Sequence, residues 1–174
     1  MKRGHLSRRR LLADLASGGV LVALAGCAES NTGTEADTDA NGAESEPPAA
    51  NELDLREANV VDVGFEATDG GYVFDVTLHH DDDGEEGYAN WWQVERLDGT
   101  RLGRRELLHA HSEQPFTRSE TVAVPEDVAR VVVRGHDQTH GYGGVAALVA
   151  FDDGSVRFVD QGPEPRSFDT EDFS

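Results

Sequence analysis

Lysine, methionine and cysteine are almost absent. The 174 residues contain one of each, Lys2, Met1 and Cys27. A lone cysteine excludes an intramolecular disulfide, so a folded domain of this size needs a hydrophobic core of its own. The shortage of sulfur disfavours a Cu(I) carrier, which uses soft ligands. Nucleophile elbows of the Gly-x-Ser-x-Gly type, phosphate-cradling glycine loops and Cys-x-x-Cys pairs are missing as well. Sustained helical periodicity is missing throughout. Cations are few: beyond residue 26 there are ten arginines and no lysine against 33 acidic residues, a net charge of −23. Phosphates would be repelled, which argues against a nucleic-acid partner.

What is present begins with an address. Ser7-Arg8-Arg9-Arg10-Leu11-Leu12 reads as a twin-arginine export motif, followed by an apolar run from Leu11 to Ala25. That run falls short of the about 20 residues that span a bilayer. Leu24-Ala25-Gly26-Cys27 has the form of a lipobox, with Cys27 as the lipid attachment point. The competing reading is an uncleaved anchor helix with an incidental cysteine. Both expect the remainder outside the cell, on the membrane. One acyl chain of myristoyl length holds a protein only reversibly. Residues 28–52 contain no lysine or arginine to supply a second, polybasic signal.

The expected layout is a signal peptide over 1–26, lipidated Cys27 with an acidic, disordered tether to residue 52, a domain over 53–162 and an acidic tail over 163–174. As a random coil the tether has an r.m.s. span of roughly 25–30 Å. From Leu53 onward the hydrophobic period is two. Turn signals at Asp69-Gly70-Gly71, Asp98-Gly99 and Asp152-Asp153-Gly154 separate strand-like runs. About eight strands are predicted, among them Tyr72–Leu78, Tyr88–Leu97, Arg101–Ala110, Thr117–Val124, Val128–His136 and Gly144–Phe151. The expected fold class is all-β, an antiparallel β-sandwich of immunoglobulin or fibronectin type III form. Trp91 and Trp92 should point to opposite faces, one into the core.

Six of seven histidines fall in this domain, as His79-His80, His109-x-His111 and His136-x-x-x-His140. Strand residues two apart share a face, so His109 and His111 can offer two imidazoles to one ion if the strand persists that far. His136 and His140 flank the end of the valine strand. The sequence therefore suggests a Zn²⁺ or Cu²⁺ site of His109, His111, His136 and His140, with Glu113 or Asp137 as an oxygen ligand or ring support. The alternative is a set of histidines with no common ion, in a metal-free interaction module facing an envelope protein partner. A hydrolase using metal-bound water ranks lowest, because only Glu113 fits a general base. Asp81-Asp82-Asp83-Gly84-Glu85-Glu86 does not match a calcium loop and reads as a solvated acidic turn.

The excess of acid over a lysine-free set of arginines resembles that of proteins from halophilic archaea. Self-repulsion of that size is costly in dilute buffer and weak in molar salt, where the Debye length is about 3 Å. With the export motif and lipobox, the chain resembles a haloarchaeal twin-arginine-exported lipoprotein. The segments His109-Ala110-His111-Ser112-Glu113-Gln114-Pro115-Phe116-Thr117-Arg118-Ser119 and His136-Asp137-Gln138-Thr139-His140-Gly141-Tyr142-Gly143-Gly144 resemble an uncharacterised family of small exported β proteins. That resemblance implies no activity; it implies that the two segments act together.

Overall fold

The computed structural model describes residues 45–82 and 84–174. The expected signal peptide, Cys27 and most of the tether lie outside the described residues. Eight strands form two antiparallel sheets: β1 Asn59–Thr68, β2 Gly71–His79, β3 Ala89–Glu95, β4 Arg101–Glu106, β5 Phe116–Val122, β6 Arg130–Asp137, β7 Val145–Ala150 and β8 Val156–Asp160. One sheet has the order β1-β2-β5 and the other β4-β3-β6-β7-β8. This is the expected β-sandwich. Its connectivity is immunoglobulin-like, with the fourth strand paired to the third and an eighth strand added at the far edge.

The alternation of apolar residues builds the core between the sheets. Val60, Val63, Phe74, Val76, Leu78 and Phe116 from the smaller sheet meet Trp92, Val94, Val131, Val133, Ala147 and Val149 from the larger. Each large side chain buried contributes about 1.5–3 kcal/mol. A bulge between Val60 and Asp62 shifts the period of β1, so Val63 rather than Asp62 follows Val60 inward. Two glycines are required by close approach. A Cβ at Gly71, where φ is +128°, would lie 2.2 Å from the Val122 carbonyl oxygen. One at Gly135 would lie 2.4 Å from that of Ala58.

The outer face of the larger sheet is covered too. Val132, Ala146 and Leu148 pack beneath Phe168, which is buried. The Phe168 amide donates to the Leu97 carbonyl at 2.8 Å, and Arg134 Nη2 donates to the Arg166 carbonyl at 3.0 Å. Residues 163–174, expected only as an acidic tail, are pinned by this aromatic plug. The cover hides an ion pair, Arg134 Nε to Glu95 Oε2 at 2.9 Å, with both side chains at most 3% exposed. Gln93 Nε2 donates to Glu95, and Arg104 Nε donates to Gln93 Oε1 at 2.9 Å. Burial pushes the Glu95 carboxyl up, against the pull of Arg134 and Gln93. Trp91 and Trp92 do face opposite ways, yet neither is exposed: Trp92 is core, and Trp91 lies between the Arg104 guanidinium, 3.7 Å from its ring, and the His136 ring.

One strand boundary corrects the sequence reading. The strand expected over Arg101–Ala110 ends at Glu106. Its partner β3 begins at Ala89, so after Leu107 N donates to Asn90 O there is no neighbouring backbone left to pair with. The amides of Ala110 and His111 donate instead to the carboxylates of Glu85 and Asp82. His109 and His111 therefore sit on a loop, and the shared strand face expected for them does not exist.

Candidate functional site at the loop end

β2, β4 and β6 finish, and β3, β5 and β7 begin, at the same end of the sandwich. Three connections gather there: residues 80–88, 107–115 and 138–144. Loops of this kind carry their own unpaired backbone groups and need partners. Here two buried carboxylates and one buried imidazole supply them.

His80 is 1% exposed. Its Nδ1 lies 2.7 Å from Asp82 Oδ1, and its Nε2 lies 3.2 Å from both Asp137 Oδ2 and the Arg56 carbonyl oxygen. The His80 amide donates to Gln114 Oε1 at 3.1 Å. Asp82 is as buried as His80, and its backbone is left-handed, with φ at 43°. Asp82 Oδ1 accepts from the Ala89 amide at 3.1 Å, and Oδ2 accepts from the His111 amide. Asp137 Oδ1 accepts from the amides of Thr139, at 2.8 Å, and His140. A chain of contacts thus runs from the 107–115 loop through Asp82 and His80 to Asp137 and the 138–144 loop. Thr139 Oγ1 donating to the Glu86 carbonyl at 2.8 Å closes the circuit.

Two buried carboxylates beside one imidazole favour its cation. Burial opposes the charge on His80, but the hydrogen bond to Asp82 and the charges of Asp137, Asp82 and Asp81 outweigh it, and its pKa is raised. In the cation Nδ1 donates to Asp82 Oδ1. In the neutral ring the same nitrogen accepts from the Asp82 amide, 2.8 Å away. Burial also pushes Asp82 up, yet His80 and the amides of His111 and Ala89 hold its carboxyl below the usual range.

The four histidines expected to share a metal are placed as follows. His109 is exposed, and its Nδ1 donates to the Ala110 carbonyl at 3.0 Å. His111 is buried against Phe116, with ring centroids 3.7 Å apart, and its Nδ1 lies 3.4 Å from Asp82 Oδ2. These two rings are neighbours, 4.8 Å apart. His136 lies on the outer face of the larger sheet, stacked on Trp91 at 4.3 Å with its Nδ1 donating to Asn90 Oδ1 at 2.8 Å. His140 is exposed and joins the network only through its amide. Its ring borders a cleft of about 350 Å³ with Arg56, Asp81, Glu86 and Thr139. Among the described residues no group of three or more histidine, aspartate or glutamate side chains is arranged to hold a metal ion. Glu113 is exposed on the cleft that His109 and His111 line. Asp137 supports His80 and the 138–140 turn.

Sequence reasoning missed His80 and Asp82. The signal was there for His80: Phe74, Val76, Leu78 and His80 keep one period of two, which carries the imidazole to the core side. Asp82 stood in a run read as a solvated acidic turn. Asp81, Glu85 and Glu86 are exposed as that reading expects, while Asp82 turns inward.

Comparison with known proteins gives one informative relative. Over 122 residues, 70% of this chain, the sequence is 68% identical to a "Putative lipoprotein" of Halomicrobium mukohataei, a haloarchaeon. The chain spans 61% of that relative's length. No family model matches the sequence. No solved structure matches it.

The imidazoles should titrate in opposite directions. A raised His80 pKa contributes stability that is full below about 6.5 and is lost as pH rises through the folded value. Burial lowers the pKa of His111 and of His136, so their contributions are present above about 6.5 and are lost as pH falls through the folded values. In an NMR titration His80 should titrate above 6.5, and His111 and His136 below it. The stability gap between the wild type and His80→Gln should narrow as pH rises from about 6 to about 9. A gap that widens with pH would contradict this assignment.

Proposed function

We propose that this protein is an extracytoplasmic lipoprotein, exported by the twin-arginine route and acylated at Cys27, whose loop end is a binding face for another component of the envelope. The observation that carries the binding face is the buried His80–Asp82–Asp137 network. Three loops without regular structure would pay conformational entropy on binding unless they were ordered beforehand. The network orders them in the free protein, as a preformed face requires. The lipoprotein half rests on Leu24-Ala25-Gly26-Cys27 and on the name of the 68%-identical relative.

The chain's single cysteine makes the test direct. With Cys27 acylated, a cysteine introduced at Ser112 on the loop end, or at Glu126 on the opposite end, is the only free thiol. A membrane-impermeant maleimide applied to intact cells should label Glu126→Cys fully and Ser112→Cys several-fold more slowly. Equal labelling would remove the binding face, and no labelling of either would remove the extracytoplasmic location. Acylation is read separately: wild type should enter the detergent phase of a cloud-point partition and Cys27→Ser should not.

A second reading, a transition-metal site, is favoured by one observation. His109 and His111 are adjacent, and His111 Nδ1 has no contact among the described residues tighter than Asp82 Oδ2 at 3.4 Å. Two imidazoles suit Zn²⁺ or Cu²⁺, with further positions filled by Glu113, water or a partner's side chain. Titration of untagged protein with either ion in molar salt should then give saturable binding that His111→Ala weakens at least about tenfold. Binding unchanged in His111→Ala would end this reading.

A further inference from the structure

On a domain so acidic, the β4–β5 corner stands out for cations. Arg104, Arg105 and Arg118 line a cleft of about 420 Å³ together with His109, His111 and Leu108. Two carboxylates share it: Glu106 lies 3.7 Å from Arg104, and Glu120 lies 3.5 Å from Arg105. Arg118 pairs with no carboxylate among the described residues. Its Nη1 donates to the Thr117 carbonyl, and its guanidinium sits 5.4 Å from the Phe116 ring centroid. Beside these arginines Leu108 is 80% exposed, the one large hydrophobic side chain so exposed among the described residues. It is held there, because the next residue back, Leu107, is buried and bonded to Asn90.

We propose that this corner docks on a membrane surface, with Arg118 and Arg105 on the phosphates of anionic lipid headgroups and Leu108 inserted among the acyl chains. The proposal rests on the lipoprotein reading for its geometry and names the partner class for one part of the loop end. An acyl anchor gains stable attachment when a second, basic signal joins it. The stretch next to Cys27 has no such signal. The fold supplies one instead, from residues 104–118. Guanidinium forks match phosphate oxygens bidentately, and a tethered domain meets its own membrane at high effective concentration. The net charge of −23 opposes the approach only at low salt. In molar salt the field reaches about 3 Å, so the groups in direct contact decide. Arg118, which has no carboxylate partner among the described residues, and Arg105, paired with Glu120, face the cleft; Arg104 is held on Trp91 and Gln93, and Glu113 lies on the adjoining cleft.

The test uses the mature full-length chain carrying Cys27→Ser, so that no acyl chain contributes, with vesicles floated in molar KCl. Wild type should float with phosphatidylglycerol vesicles and not with phosphatidylcholine vesicles. Arg118→Gln should lower the partition constant, by less than the about fivefold that one arginine contributes at physiological salt, because molar KCl screens the surface potential and leaves only the direct guanidinium–phosphate contact. Leu108→Ser should lower it at least as much, and Arg130→Gln, at the other end of the sandwich, should leave it unchanged. Circular dichroism should show all three variants folded. Equal flotation with both lipids, flotation with neither, or variants that bind like wild type would overturn the proposal. So would complete release by inorganic phosphate, which would mark a site for the free anion. Because the acyl chain is absent, these outcomes are independent of whether Cys27 is modified. Failure here with Ser112→Cys still protected on cells would leave the binding face standing with a different partner.

Discussion

The loop end of this molecule depends on a histidine buried between two aspartates. An imidazole at 1% exposure is costly to charge, and two buried carboxylates are costlier still to leave unpaired. Each makes the other tolerable. Asp82 and Asp137 spend their remaining lone pairs on backbone amides of the neighbouring loops, the substitution that unpaired loop backbone needs. The arrangement fixes where residues 80–88, 107–115 and 138–144 lie. It also places Leu108 and the arginines of β4 and β5 on one corner, and keeps the His111 amide from seeking a strand partner that β3 does not provide.

The same economy appears on the outer face of the larger sheet. Arg134 and Glu95 are removed from water beneath Phe168, with Gln93 and Arg104 extending the pair toward Trp91 and His136. Charge on the rest of the surface is overwhelmingly acidic and solvated. The buried charges are the ones that specify geometry, because only they lose the screening that molar salt imposes elsewhere.

The strands were legible because a sandwich writes a period of two with turn residues between the runs, and β1–β2 and β7–β8 carry both signals. The end of β4 was not legible, since Leu107, Leu108 and the residues after them continue an apolar pattern that the partner strand does not match. The histidine pairs pointed to the loop end, where the buried His80–Asp82–Asp137 network lies. Which rings meet was not legible, because spacing along the chain does not tell which ring turns inward: His80 does, His136 is taken up by Trp91 on the opposite side of the sheet, and His140 stays in solvent. Asp82 was hidden among acidic neighbours of identical composition. The C-terminal segment read only as an acidic tail because its anchoring rests on two isolated aromatics, Phe168 and Phe173, with no period around them.

If His80 joins the three loops through its two aspartates, they must open together. The direct measurement is amide hydrogen exchange at His111 and His140 in wild type and in His80→Gln. His111 bonds to Asp82 and His140 to Asp137, and neither amide touches His80 itself. The account predicts that His80→Gln speeds exchange at both amides by a similar factor, about tenfold or more, while the β6 amides keep their protection. Acceleration at only one of them, or at neither, would contradict it.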